Sequence, residues 1–439
     1  MKNFLFLILI SIANLVFGKT FNIRSAAELN ALRLLPGDRV ILNGGDWKDQ
    51  HLVFKANGTE VAPILLTVDY PGVSRLTGNS NLIIDGSWLV VDGVYFTDGF
   101  SLKGDVIVFS AESENCRLTN SGMYNYNHPD KKVDYKWVSV YGHRNRVDHC
   151  WLEGKTHQGT TLVIWMDERP DFDRIDHNYF GHRPDLGVNG GETIRVGNST
   201  WSQHDSYATI EKNIFEHCDG EIEIISNKSC KNILRDNLFF ECKGTLTLRH
   251  GKDAQVYGNY FIGNGLEETG GIRIIDANHK VHNNYFEGIT GKGLKAAISI
   301  MDGLPNPELT SHWQVKNADV ENNLIIDCKQ SLNLGSGKNA DRYLKAENTL
   351  IANNVIVTKN NAVDWSDDSV VVDFRNNIVW DPADRRNLPP GFVVRDPGLL
   401  RDRYGIYELP GKKNDPPFWT QEESGPFWKR PRIKIRPDL

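Results

Sequence analysis

KNIFEHCDGEIEI (212–224) and DNLFFECKGTLTL (236–248) share one layout. An asparagine follows a polar residue, a phenylalanine comes two positions later, then a cysteine, then a glycine that leads into alternating side chains. The offset between the two is 24 residues. A period this short belongs to a stacked repeat in which one turn of chain covers the next.

The layout extends in both directions. Asn178, Asn213, Asn237, Asn259, Asn284, Asn323, Asn354 and Asn377 are each followed two positions on by Phe180, Phe215, Phe239, Phe261, Phe286, Ile325, Ile356 and Val379. The intervals are 35, 24, 22, 25, 39, 31 and 23 residues, the longer ones marking inserted loops. The shortest are too short for paired helices, and the leucine pattern of leucine-rich repeats is missing. Short β-prone runs broken by Asn and Gly predict an all-β chain, the coils of a parallel β-helix (solenoid). Asparagine suits a recurring corner because it tolerates left-handed backbone and its amide can bond to the next coil. The phenylalanines then stack inside. Cys218, Cys242 and Cys328, each five residues after their asparagine, read as buried free thiols, with a Cys218–Cys242 disulfide as the alternative.

A solenoid needs caps. Ser25-Ala-Ala-Glu28 is a capping box opening a helix through ELNALRLL, ended by Pro36-Gly37, that covers the first coil. Residues 19–385 read as the β-helix, and 386–439 as a proline-rich tail packed against it. Residues 1–18, MKNFLFLILISIANLVFG, read as a signal peptide cleaved after Gly18, so the expectation is an exported chain, periplasmic or secreted, with no membrane span. A net charge of −6 argues against nucleic acid as the partner but permits an anionic polymer at a local basic site. Oligomeric state is left open.

Aligning the coils at the 24-residue offset puts Glu221 beside Thr245 and Glu223 beside Thr247. With Ile222 and Ile224 inward, both acids face outward. Arg195, Glu223, Thr247 and Arg273 then form one row, flanked by Glu221, Arg249 and Lys228, with Ser299 next. So dense a cluster of both signs on one sheet predicts a site rather than a solvated face.

At PGDRVILNGGDW (36–47), NGGETIRVG (189–197), GEIEIISNK (220–228) and LRHGK (248–252) the chain resembles polysaccharide lyase family 6, which contains alginate lyases and chondroitinase B, a dermatan sulfate lyase. The resemblance implies a right-handed parallel β-helix. It implies Ca²⁺ held by Asn189, Glu221 and Glu223, Lys228 as the base and Arg249 as the acid. NGGETIR, with Glu192, is closer to the alginate-cleaving members, so the implied substrate is alginate, with dermatan sulfate second.

The chemistry explains paired acids. A uronate lyase takes the proton at C5, beside a carboxylate, and a divalent cation on that carboxylate stabilises the charge that develops. Arg273 and Arg195 are candidate clamps for the carboxylates of neighbouring sugars, and either could instead brace Glu223 across the ladder; the clamp is the preferred reading for Arg273, and Arg195 is left open. His250 is either a substrate contact or a structural residue, and with water an alternative proton donor to the leaving oxygen. Two other classes are open. A β-helix hydrolase needs a metal-free carboxylate pair, for which Asp367-Asp368 is the one tempting candidate, expected in a solvated loop. A glycan-binding solenoid needs no base.

Overall fold

The computed structural model describes residues 18–381, 388–411, 417–421 and 423–435. Residues 1–17 of the expected signal peptide lie outside them. Among the described residues no helix is long and apolar enough to cross a membrane.

Each coil gives one short strand to each of three parallel sheets. In one coil these are Thr209–Glu211, Ile214–Glu216 and Glu223–Lys228. Repeated along the chain they build sheets of 14, 14 and 12 strands among the described residues, called here the first, second and third. This is the all-β parallel β-helix expected from the repeat.

The asparagine corner is a continuous amide ladder. Asn178 Nδ2 donates to Asn213 Oδ1 at 3.0 Å, and the same bond recurs through Asn237, Asn259, Asn284, Asn323, Asn354 and Asn377. Each amide also reaches a backbone carbonyl, as Asn259 does to Leu234 O at 2.9 Å, so buried polar groups at the corner are satisfied. The left-handed backbone falls one residue earlier than expected. His177, Lys212, Asp236 and Asn283 have φ of 54°, 51°, 55° and 54°, while the ladder asparagines do not. The ladder position is thus chosen for its amide, not its backbone.

Phe180, Phe215, Phe239, Phe261 and Phe286 stack inside at centroid spacings of 5.0, 4.7, 4.5 and 4.8 Å, matching the distance between neighbouring strands. The six cysteines are buried free thiols. The cap helix is there but shorter than predicted. It spans Ala26–Ala31, with Ser25 Oγ accepting from Glu28 N and Glu28 Oε2 accepting from Arg24 N, and ends before Leu32-Arg-Leu-Leu35.

The outer face of the second sheet is apolar. Trp151, Tyr179, Ile214, Leu238, Phe240, Ile262, Tyr285 and Ile326 are covered there by Ile406, Phe418, Trp419 and Ile435. The same C-terminal segment bonds further along the axis, through Gly425 N to His177 O and Trp428 Nε1 to Asn120 O, both 2.8 Å. The outer face of the third sheet carries Arg195, Glu223, Lys228 and Arg273.

Candidate active site

On the third sheet Arg195 pairs with Ser226, Ser226 with Thr247, Thr247 with Arg273 and Arg273 with Ser299. The sequence alignment placed Glu223 in this row, and the structure corrects it. Glu223 pairs with Thr245 and Ile225 with Leu246, because Ile224 is an extra residue in a β-bulge. Ile224 and Ile225 are both in the core, so three positions rather than two separate the outward Glu223 and Ser226. A constant offset between asparagines does not see a bulge in the next sheet. Glu221 is also displaced: it stands in the turn before the strand Glu223–Lys228, not within it.

The bulge concentrates charge. Glu223 accepts from Ser226 Oγ and from the Arg273 guanidinium, with Arg249 Nε 3.7 Å away. Glu221 Oε2 accepts from Gly190 N at 3.1 Å. Glu192, quoted above only as a mark of family subgroup, reaches in from the preceding coil. Its Oε2 accepts from Thr160 Oγ1 at 3.2 Å and its Oε1 lies 3.9 Å from Lys228 Nζ. Ligand oxygens of Glu192, Glu221 and Glu223 all fall within 4.8 Å of one another. Burial, then the negative charges of Glu192 and Glu223, push the Glu221 carboxyl up to about 7.

Elsewhere on the molecule carboxylates are neutralised differently. On the first sheet Asp148, Asp176 and Glu211 alternate with Arg117, Arg146, Arg174 and Arg235. The three glutamates instead crowd together, and three carboxylates converging from a turn and two strands or their flanks are a donor set suited to a hard cation with oxygen ligands. Asn189, the remaining expected ligand, is exposed next to Gly190, and its side chain makes no hydrogen bond among the described residues.

Lys228 sits at the end of its strand, opposite Gly197 and His250. Arg249 is bulged out between the paired positions Leu248 and His250. Its guanidinium donates to Ser311 O and Thr310 O at 3.2 Å, so a loop inserted after the strand Ile298–Met301 braces it. Burial pushes the Arg249 pKa down, Glu223 opposing. His250 is 1% exposed and its Nδ1 is 3.3 Å from Arg249 Nη1. Burial, then Arg249 and Lys228, hold its pKa far below the usual imidazole range. Its burial and its contact with Arg249 suit the structural reading of His250. Asp367-Asp368 does lie in a loop, with Asp368 exposed, but Asp367 is buried, paired with Lys338 at 2.7 Å, and raises the pKa of Asp302 after burial does so.

A family model described as Chondroitinase B matches residues 24–409. The structure is similar to the family 6 alginate lyase AlyGC, with 37% identity and a TM-score of 0.86 over 93% of this chain. The match spans 56% of AlyGC, little more than half of that protein. It is also similar to a mannuronic acid specific family 6 lyase from human gut microbiota, at 29% identity and a TM-score of 0.79 over 93% of this chain and 96% of that one. For the family 6 lyase Pedsa3628 of Pseudopedobacter saltans the values are 26% and 0.76, over 93% and 99%. No curated protein matches the sequence. With its repeat, its charged third sheet and a family match over most of its length, the chain belongs to the chondroitinase B family, polysaccharide lyase family 6.

Proposed function

We propose that the protein is a calcium-assisted lyase that cleaves alginate by β-elimination, leaving 4,5-unsaturated uronate ends. The observation that carries the reading is the placement of Lys228 Nζ 3.9 Å from a three-carboxylate cluster, with Arg249 and Arg273 on the cluster's other side. A hydrolase has no use for an amine at that point, and a binding module has no need of buried acids beside it.

Glu192, Glu221 and Glu223 would hold the ion, with Asn189 as the further ligand that the family resemblance implies. Bound there, Ca²⁺ supplies Lewis-acid stabilisation to a substrate carboxylate. Lys228 is the base that removes the C5 proton. Arg249 faces the leaving oxygen. Its lowered pKa makes the guanidinium a better donor to an alkoxide, and the Thr310 and Ser311 carbonyls fix its plane. Arg273 holds Glu223 in place and presents its remaining donors to the substrate carboxylate.

Alginate over dermatan sulfate rests on the names of the similar structures and on NGGETIR. Incubating the protein with polymannuronate, polyguluronate, alternating alginate and dermatan sulfate while following ultraviolet absorbance tests it. Absorbance on an alginate alone is expected. New reducing ends without absorbance, or absorbance on dermatan sulfate alone, would overturn it.

A further inference from the structure

Among the described residues, most charges around the cluster have a protein partner, with Arg195 an exception. Arg195 makes no hydrogen bond and no ion pair among the described residues, and its Nε is buried without an acceptor. It nevertheless has a fixed place. Its guanidinium carbon lies 4.9 Å from the centroid of the Trp165 ring, and that ring is parallel, at 8° and 5.4 Å, to Tyr141 on the coil before. Trp165 is pinned in turn by Nε1 donating to Ser139 Oγ at 3.0 Å, and Ser139 Oγ donates to Asp105 Oδ2 at 2.5 Å. An arginine held by aromatic stacking keeps its hydrogen-bonding edge free.

Its position is informative. Arg195 and Arg273 lie in one row, three strands apart, with Ser226 and Thr247 between them. Arg273 shares its donors with Glu223, whereas Arg195 has no such partner among the described residues. Beyond Arg195 the row runs into Val163, Ser139, Val108 and Ile83, so the cations of this row stop at Arg195. A polymer carrying one carboxylate per sugar, crossing the strands beside this row, would set a neighbouring sugar's carboxylate on Arg195 while another occupies the centre at Lys228, two residues along the adjacent strand from Arg195's partner Ser226.

We propose that Arg195, braced by Trp165 and Tyr141, is a subsite for the carboxylate of a uronate next to the one that reacts, and that the substrate runs parallel to the solenoid axis. This rests on the lyase reading of the site. Trp165 and Tyr141 are positioning residues: they orient Arg195 and do not themselves take the carboxylate.

The test is calorimetric binding of an alginate hexasaccharide, and of its carboxyl-reduced counterpart, to the Lys228→Ala protein. Adding Arg195→Ala is expected to weaken hexasaccharide binding about tenfold to a hundredfold, the loss of a charge-assisted contact, and to leave the reduced sugar unaffected. Trp165→Leu, which keeps the guanidinium but removes its brace, is expected to weaken hexasaccharide binding by a few-fold with calcium affinity unchanged. Equal hexasaccharide binding with and without Arg195 would overturn the subsite. Equal losses for the acidic and reduced sugars would overturn the carboxylate assignment, and no effect of Trp165→Leu would overturn the brace. Failure of the lyase reading is a separate result: no ultraviolet-absorbing product from the unmutated protein with the same hexasaccharide.

Discussion

Glu192 Oε1 lies 3.9 Å from Lys228 Nζ while the same carboxylate belongs to the Glu221–Glu223 cluster, so one side chain touches both the base and the place for a cation. Lys228 itself is not one of the three carboxylates, so removing the base should separate from removing the metal. Lys228→Ala is expected to cut kcat by about 10²–10⁴-fold, with calcium binding within a few-fold of the unmutated protein by calorimetry. Loss of both together would mean that Lys228 shapes the cluster rather than acting as the base.

Glu223 is tied to Arg273, which is 4% exposed. Glu223→Ala leaves that guanidinium buried without its carboxylate, which costs about 3–5 kcal/mol. Thermal unfolding should show a drop in Tm for Glu223→Ala that is largely restored in the Glu223→Ala/Arg273→Met double variant. Activity should return in neither.

The pH dependence of the metal-free protein has a defined sign. Glu221 is raised from 4.5 to about 7 in the folded state by burial and by its acidic neighbours. An acid raised on folding binds more protons folded than unfolded, so the contribution of Glu221 to stability is fully present below pH 4.5 and is lost as pH climbs through about 7. Tm in chelator is expected to fall across this window, and Glu221→Gln should flatten the fall. Calcium, which favours the ionised form, should remove it in the unmutated protein. A flat profile in chelator would contradict the charge crowding.

The amide ladder gives a prediction on the fold alone. Asn259→Ala leaves the Asn237 and Asn284 amides and the Leu234 carbonyl short of partners, at a cost of about 1–3 kcal/mol. Loss of hydrogen-exchange protection should centre on the coils next to residue 259. A uniform change along the whole solenoid would contradict the quasi-one-dimensional picture.

Much of this was legible in the sequence because a solenoid writes its period directly into the chain. The corner asparagines, the stacked phenylalanines, the capping box and the outward positions of Arg249 and Arg273 all follow from spacing. The side of Lys228 does not: strict alternation from an outward Glu223 would turn it inward, and the bulge at Ile224 brings it out. What spacing could not carry was the bulge at Ile224, which moved Glu223 from the row of Thr247 to Thr245. Two adjacent isoleucines, Ile224 and Ile225, break the alternation and were the available signal. The place of Glu192 in the cluster was hidden because it comes from another coil across a loop of irregular length. The buried state of Asp367 was hidden for a related reason, since its neighbours Asp302 and Lys338 come from earlier coils, and the Thr310–Ser311 loop that braces Arg249 beside His250 comes from a later one.

The central claim is that a cation seated by Glu192, Glu221 and Glu223 enables Lys228 to abstract the C5 proton. The most direct test is kcat on alginate for enzyme stripped of divalent ions and then titrated with calcium. The account predicts that stripping lowers kcat by at least about 100-fold and that roughly one equivalent of calcium restores it. An unchanged kcat in the stripped enzyme, with only KM altered, would contradict it.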